Sequence, residues 1–226
     1  MNHPQMAFQR LYHFISRDFG LDDLRQRRLK IATIEDLNDP FELRGMALTD
    51  AHKRWAIASW RRDISRQIGL LCFSKSWRNP VQWSHYAQKH AGLCLGFDVD
   101  EQYLMPVRYR SAVLPDLVSQ AAGQQEPGEG AVRQLLTTKY SHWRYEQEVR
   151  MFLDLQTEPR DGALSFHPFG EDMRLVEVVV GAQSTVTRSE LAAALGDGAN
   201  GVSTFKARLA FRSFKIVRQR RESLWL

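Results

Sequence analysis

Short apolar runs separated by polar turns divide this chain into strands and helices. Residues 69–74 and 93–99 are continuous apolar stretches of strand length, bounded by polar residues. Between them, Asn79-Pro80 predicts a helix start, because the Asn79 side chain caps free N–H groups and Pro80 has no N–H to satisfy. We therefore predict strand, helix over residues 81–89, and strand, with buried strands on both sides of a short helix.

The predicted helix carries aromatic side chains on one face. Trp83, Tyr86 and His90 follow at positions i, i+3 and i+7, which share a face in helical geometry. Gly92 then ends the helix in a left-handed conformation. The phenol of Tyr86 thus lies between two buried strands, and this face is the first place to look for function.

The remaining pattern predicts more strands than helices. Because the two do not alternate regularly, we expect an α+β fold with a split, mainly antiparallel sheet and flanking helices, rather than a doubly wound parallel sheet. Residues 114–130 are expected to be the least structured region, and Thr49 or Asp50 is expected to cap a helix. Further strands are predicted over residues 8–14, 29–34, 106–113, 149–153, 163–166, 175–180 and 205–218, and further helices over residues 21–27, 51–67, 131–140 and 189–195.

Length and charge narrow the classes of protein. At 226 residues we expect one domain over residues 1–226, with a motif core at 11–153 and residues 163–218 completing the sheet. A net charge of +5 and a pI near 9.4 favour an anionic partner. Cys72 and Cys94 both lie in predicted buried strands, so they are expected to be core residues in a reducing cytosol.

Several common signatures are absent or misplaced. No apolar run is long enough to span a membrane, and Met1–Met6 lacks the features of a signal peptide, so we expect a cytoplasmic protein with no membrane partner. The glycine pattern at residues 196–201 follows a helix and precedes a strand, the reverse of a dinucleotide-binding turn. His85 and His90 do not share a helix face, so no metal site is expected there.

Two glutamates near residue 147 are more informative. If a strand begins near Tyr145, Glu146 and Glu148 point to one side of the sheet, with Arg150 beyond them. Like charges on one face are costly unless a ligand or a cation shares them. The alternative is a solvated strand edge on which Arg150 neutralises Glu148.

Taken together, three of these residues resemble the His-Tyr-Glu class of ADP-ribosyltransferases. His13 lies on the first strand, Tyr86 on a short helix that follows a strand and a Ser-Lys-Ser segment at residues 74–76, and Glu148 at the start of a later strand. The order and local contexts match that class over residues 11–153. The resemblance implies an NAD-binding cleft between the two halves of the sheet.

A second resemblance is to a widespread bacterial family known only as a domain of unknown function. It is carried by short segments, specific only as an ensemble: Tyr-His-Phe at residues 12–14, Asn-Asp-Pro-Phe-Glu at 38–42, Cys-Phe-Ser at 72–74, Trp-Ser-His-Tyr at 83–86 and Tyr-Glu-Gln-Glu-Val-Arg at 145–150.

The first resemblance implies catalytic roles for two glutamates. Cleavage between nicotinamide and ribose passes through an oxocarbenium-like cation, which the nearby carboxylate of Glu148 would stabilise by about 4 kcal/mol at an effective dielectric constant near 20. Glu146 would orient or deprotonate the acceptor nucleophile.

The same resemblance implies an NAD-binding set. Tyr86 would stack on the nicotinamide ring, and His13 would hydrogen-bond the adenosine-side ribose as a neutral donor or acceptor. Phe14 stands where this class often has glycine next to the histidine. The whole expected cofactor-binding set is His13, Phe14, Tyr86, Ser74 and Tyr12, with NAD as a consumed substrate and no metal.

These roles predict transfer of ADP-ribose from NAD to a nucleic acid or protein, with release of nicotinamide. A bacterial toxin, a phage-defence protein or an effector fits that activity, and an antitoxin or chaperone partner stays open. The basic C-terminal residues 208–221 suit a nucleic acid or simply protect a strand edge. The alternatives are an NAD glycohydrolase and a non-catalytic module that binds nucleic acid or protein.

Overall fold

The computed structural model describes residues 7–48, 50–117 and 128–225. The expectations for residues 1–6, Thr49 and 118–127 therefore lie outside the described residues. The helices are α1 (Arg17–Gln26), α2 (Ala51–Ser65), α3 (Pro80–Tyr86), α4 (Glu129–Leu136) and α5 (Arg188–Leu195). The strands are β1 (Phe8–Ile15), β2 (Arg28–Lys30), β3 (Ala32–Thr33), β4 (Ile68–Ser74), β5 (Leu93–Asp100), β6 (Leu104–Pro106), β7 (Arg108–Arg110), β8 (Thr138–Tyr140), β9 (Glu148–Asp154), β10 (Arg160–Asp161), β11 (Leu164–Pro168), β12 (Met173–Val180), β13 (Ser203–Leu209) and β14 (Ile216–Arg218).

A large sheet dominates the part of the chain that the structure describes. Its nine strands there run in the order β14-β13-β12-β5-β1-β4-β9-β6, with β3 beside β4. Apart from the parallel pair β12 and β13, neighbouring strands are antiparallel. The prediction of an α+β fold with a mainly antiparallel sheet and flanking helices is confirmed.

Pairing within this sheet is interrupted between β1 and β4. Strand β1 pairs with β5 along its whole length, and β4 does the same with β9. Between β1 and β4, however, the register contains the single pair Tyr12 and Ser74. Because β9 covers the opposite edge of β4, β3 must pair on the same edge as β1, at Gly69 and Leu70. Residues 71–73 of β4 therefore face a gap between β1 and β3.

Buried apolar side chains pack on both faces of the sheet. The largest cluster joins α1 and α5 to β1, β5, β9 and β12, and a second joins α2 and α4 to β4. A third contains Trp77, Trp83 and Cys94. Both tryptophans are core residues, whereas Trp143 is half-buried. Cys94 is buried and Cys72 partly buried, and neither forms a disulfide.

Helix α3 begins as predicted but ends early. Asn79 accepts the N–H of Val81 and Pro80 takes the first helical position. The residues in left-handed conformation are Gln88, Lys89 and His90, with φ of 49°, 52° and 71°. Gly92 is not among them, so its predicted role as the left-handed cap is wrong.

Close packing explains Gly92 instead. A Cβ atom built on it would lie 2.2 Å from the carbonyl oxygen of Ile15. The predicted shared face is also wrong, because His90 lies beyond the helix and Trp83 and Tyr86 diverge. Trp83 faces the third cluster and stacks on the His90 ring, with centroids 6.3 Å apart, whereas Tyr86 faces the gap at β4.

Other predicted elements also differ in the structure. The helix predicted over residues 131–140 ends at Leu136, and β8 follows it. The long strand predicted over residues 205–218 is a hairpin, β13 and β14, closed by a hydrogen bond from Ala210 N–H to the Lys215 carbonyl. The strand that could have begun near Tyr145 begins at Glu148. Among the described residues, no helix has both the length and the apolar character that crossing a membrane requires.

Candidate functional site

The gap in strand pairing opens into a cleft of about 220 Å³. Its lining brings together every residue predicted for the site, from β1, β4, α3 and the segment that enters β9. The predicted residues are Tyr12, His13, Phe14, Ser74, Tyr86, Glu146 and Glu148. The cleft is also lined by Asn38, Cys72, Gln82 and Lys139, among others.

His13 satisfies the backbone at the gap. Its Nδ1 lies 3.0 Å from the carbonyl oxygen of Cys72, a group that no strand pairs with on this edge. Because a carbonyl only accepts, Nδ1 carries the hydrogen and Nε2 is left as the acceptor of the ring. Burial lowers the pKa of His13, which keeps the imidazole neutral.

Tyr86 links the cleft to two other segments. Its hydroxyl donates to the Oε1 of Glu146 and accepts from the Nδ2 of Asn38, 2.7 Å away. Burial and the Glu146 carboxylate raise the pKa of Tyr86, so the phenol stays protonated. Asn38 therefore belongs to this site. Asp39, next along, caps the turn instead, accepting the Phe41 N–H at 2.9 Å.

Lys139 holds the two glutamates together. Its Nζ lies 2.7 Å from the Oε2 of Glu146 and 3.1 Å from the Oε2 of Glu148. Burial opposes the charge on Lys139, but Glu148 and Glu146 outweigh it and raise the lysine pKa. Lys139 was not predicted as a site residue, because the pattern of residues 131–140 indicates a helix. The pair of glutamates, which needs a cation, indicated that a positively charged side chain would be found beside them.

Arg150 joins Glu148 to a third carboxylate. Its Nε lies 2.7 Å from the Oε1 of Glu148, and its two terminal nitrogens contact both oxygens of Glu42, at 3.0 Å and 2.5 Å. All three side chains are buried. Arg150 therefore neutralises Glu148 as one alternative proposed, but in the protein interior and not at a solvated strand edge. Glu42 of the Asn-Asp-Pro-Phe-Glu segment proves to be part of the same network.

The two glutamates differ in their affinity for a proton. Burial raises the pKa of Glu146, and neither Lys139 nor the Tyr86 hydroxyl fully offsets that effect. At Glu148, burial is outweighed by Arg150 and Lys139, which lower the pKa to about 2. Such separation of two carboxyl pKa values is typical of a site in which one group holds a fixed charge and the other exchanges a proton.

A local distortion of the backbone sets the two carboxylates side by side. Glu146 ends a 3₁₀ helix (Ser141–Glu146), Gln147 is left-handed with φ 48°, and Glu148 begins β9. The carbonyl of Glu146 accepts from Ser74 Oγ at 2.7 Å and Gln82 Nε2 at 3.0 Å. The hydroxyl of Ser74 therefore positions Glu146, and the NAD contact expected of Ser74 stays a prediction.

The buried ion network carries a net charge. Glu42, Glu146 and Glu148 supply three negative charges, and Lys139 and Arg150 supply two positive ones, which leaves one negative charge at the cleft. In a buried site the electrostatic effect of this excess charge on a ligand is strong. The arrangement therefore favours a ligand with a delocalised positive charge. Among the described residues, no cluster of three or more His, Cys, Asp or Glu side chains is placed to hold a metal ion.

Comparison with known proteins gives a family match over part of the chain and no activity. No curated protein matches this chain, and no solved structure does. Residues 82–151, less than a third of the chain, match the model of a protein family of unknown function, DUF2971. This match includes Tyr86, Lys139, Glu146 and Glu148 but not His13. The expected likeness to a domain of unknown function is thus confirmed for this segment, which contributes Tyr86, Lys139, Glu146 and Glu148 to the cleft.

Proposed function

We propose that this protein transfers ADP-ribose from NAD to a macromolecular acceptor, a nucleic acid or a protein, and releases nicotinamide. The observation that carries the proposal is the convergence of His13, Tyr86, Glu146 and Glu148 on one cleft, at the gap in the sheet between β1 and β4. His13, Tyr86 and Glu148 are distant from one another in sequence and carry the resemblance to one class of ADP-ribosyltransferases. An ADP-ribosyltransferase-like fold with a split sheet is part of the proposal.

The charge of the cleft suits the reactive end of NAD. The nicotinamide ring of NAD is a pyridinium cation, and the ion network leaves one negative charge beside the cleft. The rings of Phe14 and Tyr86 line the same space and offer faces for stacking. At about 220 Å³ the cleft is smaller than the roughly 300–1,000 Å³ of pockets that enclose a whole ligand. It would hold nicotinamide and its ribose, with the adenine base outside.

The chemistry then follows from the different protonation of the two glutamates. The bond between ribose C1′ and the pyridinium nitrogen breaks, its electron pair stays with nicotinamide, and the ring leaves as a neutral molecule. The ribose cation that develops faces Glu148, which stays ionised because its pKa is about 2.

Glu146 would complete the transfer. A lone pair of the acceptor attacks C1′, and the proton that the acceptor loses passes to the Glu146 carboxylate, whose pKa burial has raised. Tyr86 and Lys139 hold that carboxylate in place through its two oxygens. His13, neutral and fixed by Cys72, offers Nε2 as an acceptor for a ribose hydroxyl.

The decisive experiment is nicotinamide release from NAD by purified protein, with nucleic acids and cell lysate present. We expect Glu148→Gln and Glu146→Gln each to lower the rate by at least about 100-fold, the size seen when a preorganised electrostatic or acid–base group is removed. Glu101→Gln is the matched control, since that side chain is exposed and lies outside the cleft lining. Circular dichroism establishes that each variant is folded.

The outcomes separate the alternatives. Release that needs no acceptor and yields free ADP-ribose would identify an NAD glycohydrolase. Absence of release, combined with no NAD-dependent thermal shift in the wild-type protein, would refute the enzymatic proposal. The ion network would then be a structural element of a binding module.

A further inference from the structure

A second depression adjoins the cleft and shares one residue with it. It has a volume of about 400 Å³ and is lined by Phe41, Arg110, Val113, Lys139 and Tyr140, among others. Lys139 lines both spaces. We call Phe41, Arg110, Val113 and Tyr140 the aromatic slot. Its position, next to the lysine that holds Glu146 and Glu148, makes it a neighbouring subsite of the proposed reaction.

The slot exposes aromatic rings that the core does not use. Phe41 and Tyr140 have 60% and 44% of their surface exposed. The Tyr140 ring stacks on that of His142, with centroids 4.7 Å apart and planes 20° from parallel. Strand β8 fixes Tyr140 beside β7, where it lies in register with Arg110. The result is an exposed ring surface whose backbone is held in a strand.

Arg110 brings positive charge to this ring surface, and two further arginines lie on the neighbouring segments. Arg108 and Arg110 on β7 and Arg144 after β8 are exposed, and none of them pairs with a carboxylate in the described part of the chain. Among the described lining residues the one acid is Asp39, which is buried and accepts the Phe41 N–H. A partner that stacks flat rings and carries negative charge is therefore favoured over an acidic or neutral peptide.

We propose that the aromatic slot binds a base of a single-stranded nucleic acid, which is the acceptor of the reaction proposed above. Exposed aromatic rings stack on any unpaired base, and flanking arginines bind the phosphates. Lys139 lines both the slot and the cleft, so a strand bound at the slot lies beside the mouth of the cleft. This inference rests on the proposed function for the identity of the acceptor, but the binding itself does not need NAD.

The test is fluorescence anisotropy of labelled single-stranded DNA and RNA, about 12 nucleotides long, without NAD. We expect Tyr140→Ala and Phe41→Ala each to weaken binding roughly tenfold, since one stacked base is lost. Tyr140→Phe should bind like the wild-type protein because the ring is kept. Arg110→Ala should weaken binding and reduce its dependence on salt by about one phosphate contact.

A second basic surface provides the matched control. Phe211 and Phe214 are 88% and 99% exposed on the β13–β14 hairpin, next to Arg208. We expect Phe214→Ala to leave oligonucleotide binding unchanged. If binding is lost in that variant and kept in Tyr140→Ala, the hairpin is the interface and the slot proposal is wrong. Failure of the wild-type protein to bind either oligonucleotide overturns it as well.

Failure of the slot and failure of the enzymatic proposal give different results. Glu146→Gln should bind the oligonucleotide normally while releasing no nicotinamide. Oligonucleotide binding that depends on Tyr140, with no nicotinamide release by the wild-type protein, would support the slot and refute the transferase. Labelled ADP-ribose that appears on protein while the oligonucleotides stay unbound would support the transferase and refute the slot.

Discussion

The imidazole of His13 donates to the carbonyl oxygen of Cys72, 3.0 Å away, at the place where β1 and β4 cease to pair. A side chain thus replaces a hydrogen bond of the sheet, and the space that the missing strand pairing leaves becomes the cleft. The bond also selects the tautomer, since Nδ1 must carry the hydrogen. His13 therefore satisfies the carbonyl that strand pairing leaves free, and its Nε2 remains as a hydrogen-bond acceptor for a ligand in the cleft.

Two substitutions of His13 should separate these roles. In His13→Asn the amide N–H can replace Nδ1–H, so we expect unfolding free energy near the wild-type value but an NAD affinity lowered about tenfold, because one hydrogen bond to the ligand is lost. In His13→Phe the Cys72 carbonyl is left without a donor, which should cost about 1–3 kcal/mol in urea unfolding. Equal stability of the two variants would contradict this assignment.

The left-handed residue Gln147 should be sensitive to the shape of its side chain. Gly adopts φ near 48° freely, so Gln147→Gly should fold and release nicotinamide like the wild-type protein. Gln147→Val should lose about 1–2 kcal/mol of stability and most activity, because relief of strain would move Glu146 away from Glu148. Gln156→Val is the control at an exposed position without positive φ. If both valine variants behave alike, backbone conformation at Gln147 is unimportant.

Loss of Arg150 should be the most destabilising change in the network. Arg150→Leu leaves Glu42 and Glu148 buried with fewer compensating charges, which should cost about 3–5 kcal/mol of unfolding free energy. Arg174→Leu is the matched control, since Arg174 meets Asp98 at 3.6 Å on an exposed surface and should cost less than about 1 kcal/mol. Denaturation in urea measures both. Similar losses in the two variants would show that burial of the network adds nothing.

Glu148 should also govern part of the acid stability. Its pKa is about 2 in the folded protein against an ordinary value of 4.5, so its contribution is complete above pH 4.5 and is lost as the pH falls toward 2. The difference in unfolding free energy between the wild-type protein and Glu148→Gln should therefore shrink over that interval. If the difference in unfolding free energy does not depend on pH, the surroundings of Glu148 do not stabilise its ionised form.

The strand-helix-strand unit from β4 to β5 was predictable because its signals are local. One continuous stretch contains two apolar runs of strand length, with the Asn79-Pro80 helix start between them. The early end of α3 was not predictable in this way. Gln88, Lys89 and His90 adopt left-handed conformations without glycine, and contacts distant in sequence, such as that between Gln183 N–H and the His90 carbonyl, hold them there.

The residues of the site were likewise predictable only where their signals were local or came from a family resemblance. The sequence indicated Glu146 and Glu148 as a pair that needs a cation, and His13 and Tyr86 through a family resemblance. It could not indicate Lys139, because a three-residue strand has no recognisable periodicity and the helical pattern before it extends to Tyr140. The bond between Arg150 and Glu42 joins residues 108 positions apart, which no local pattern can reveal.

Helix α3 lies in one of the connections between the strands on the two sides of the gap. The chain leaves β4 on one side and reaches β5 on the other through residues 75–92, which include α3, and Tyr86 is the last residue of that helix. A ligand that binds Tyr86 would therefore contact a segment attached to both sides of the gap. A substitution that shifts either side is expected to change the position of Tyr86, and with it the affinity for that ligand.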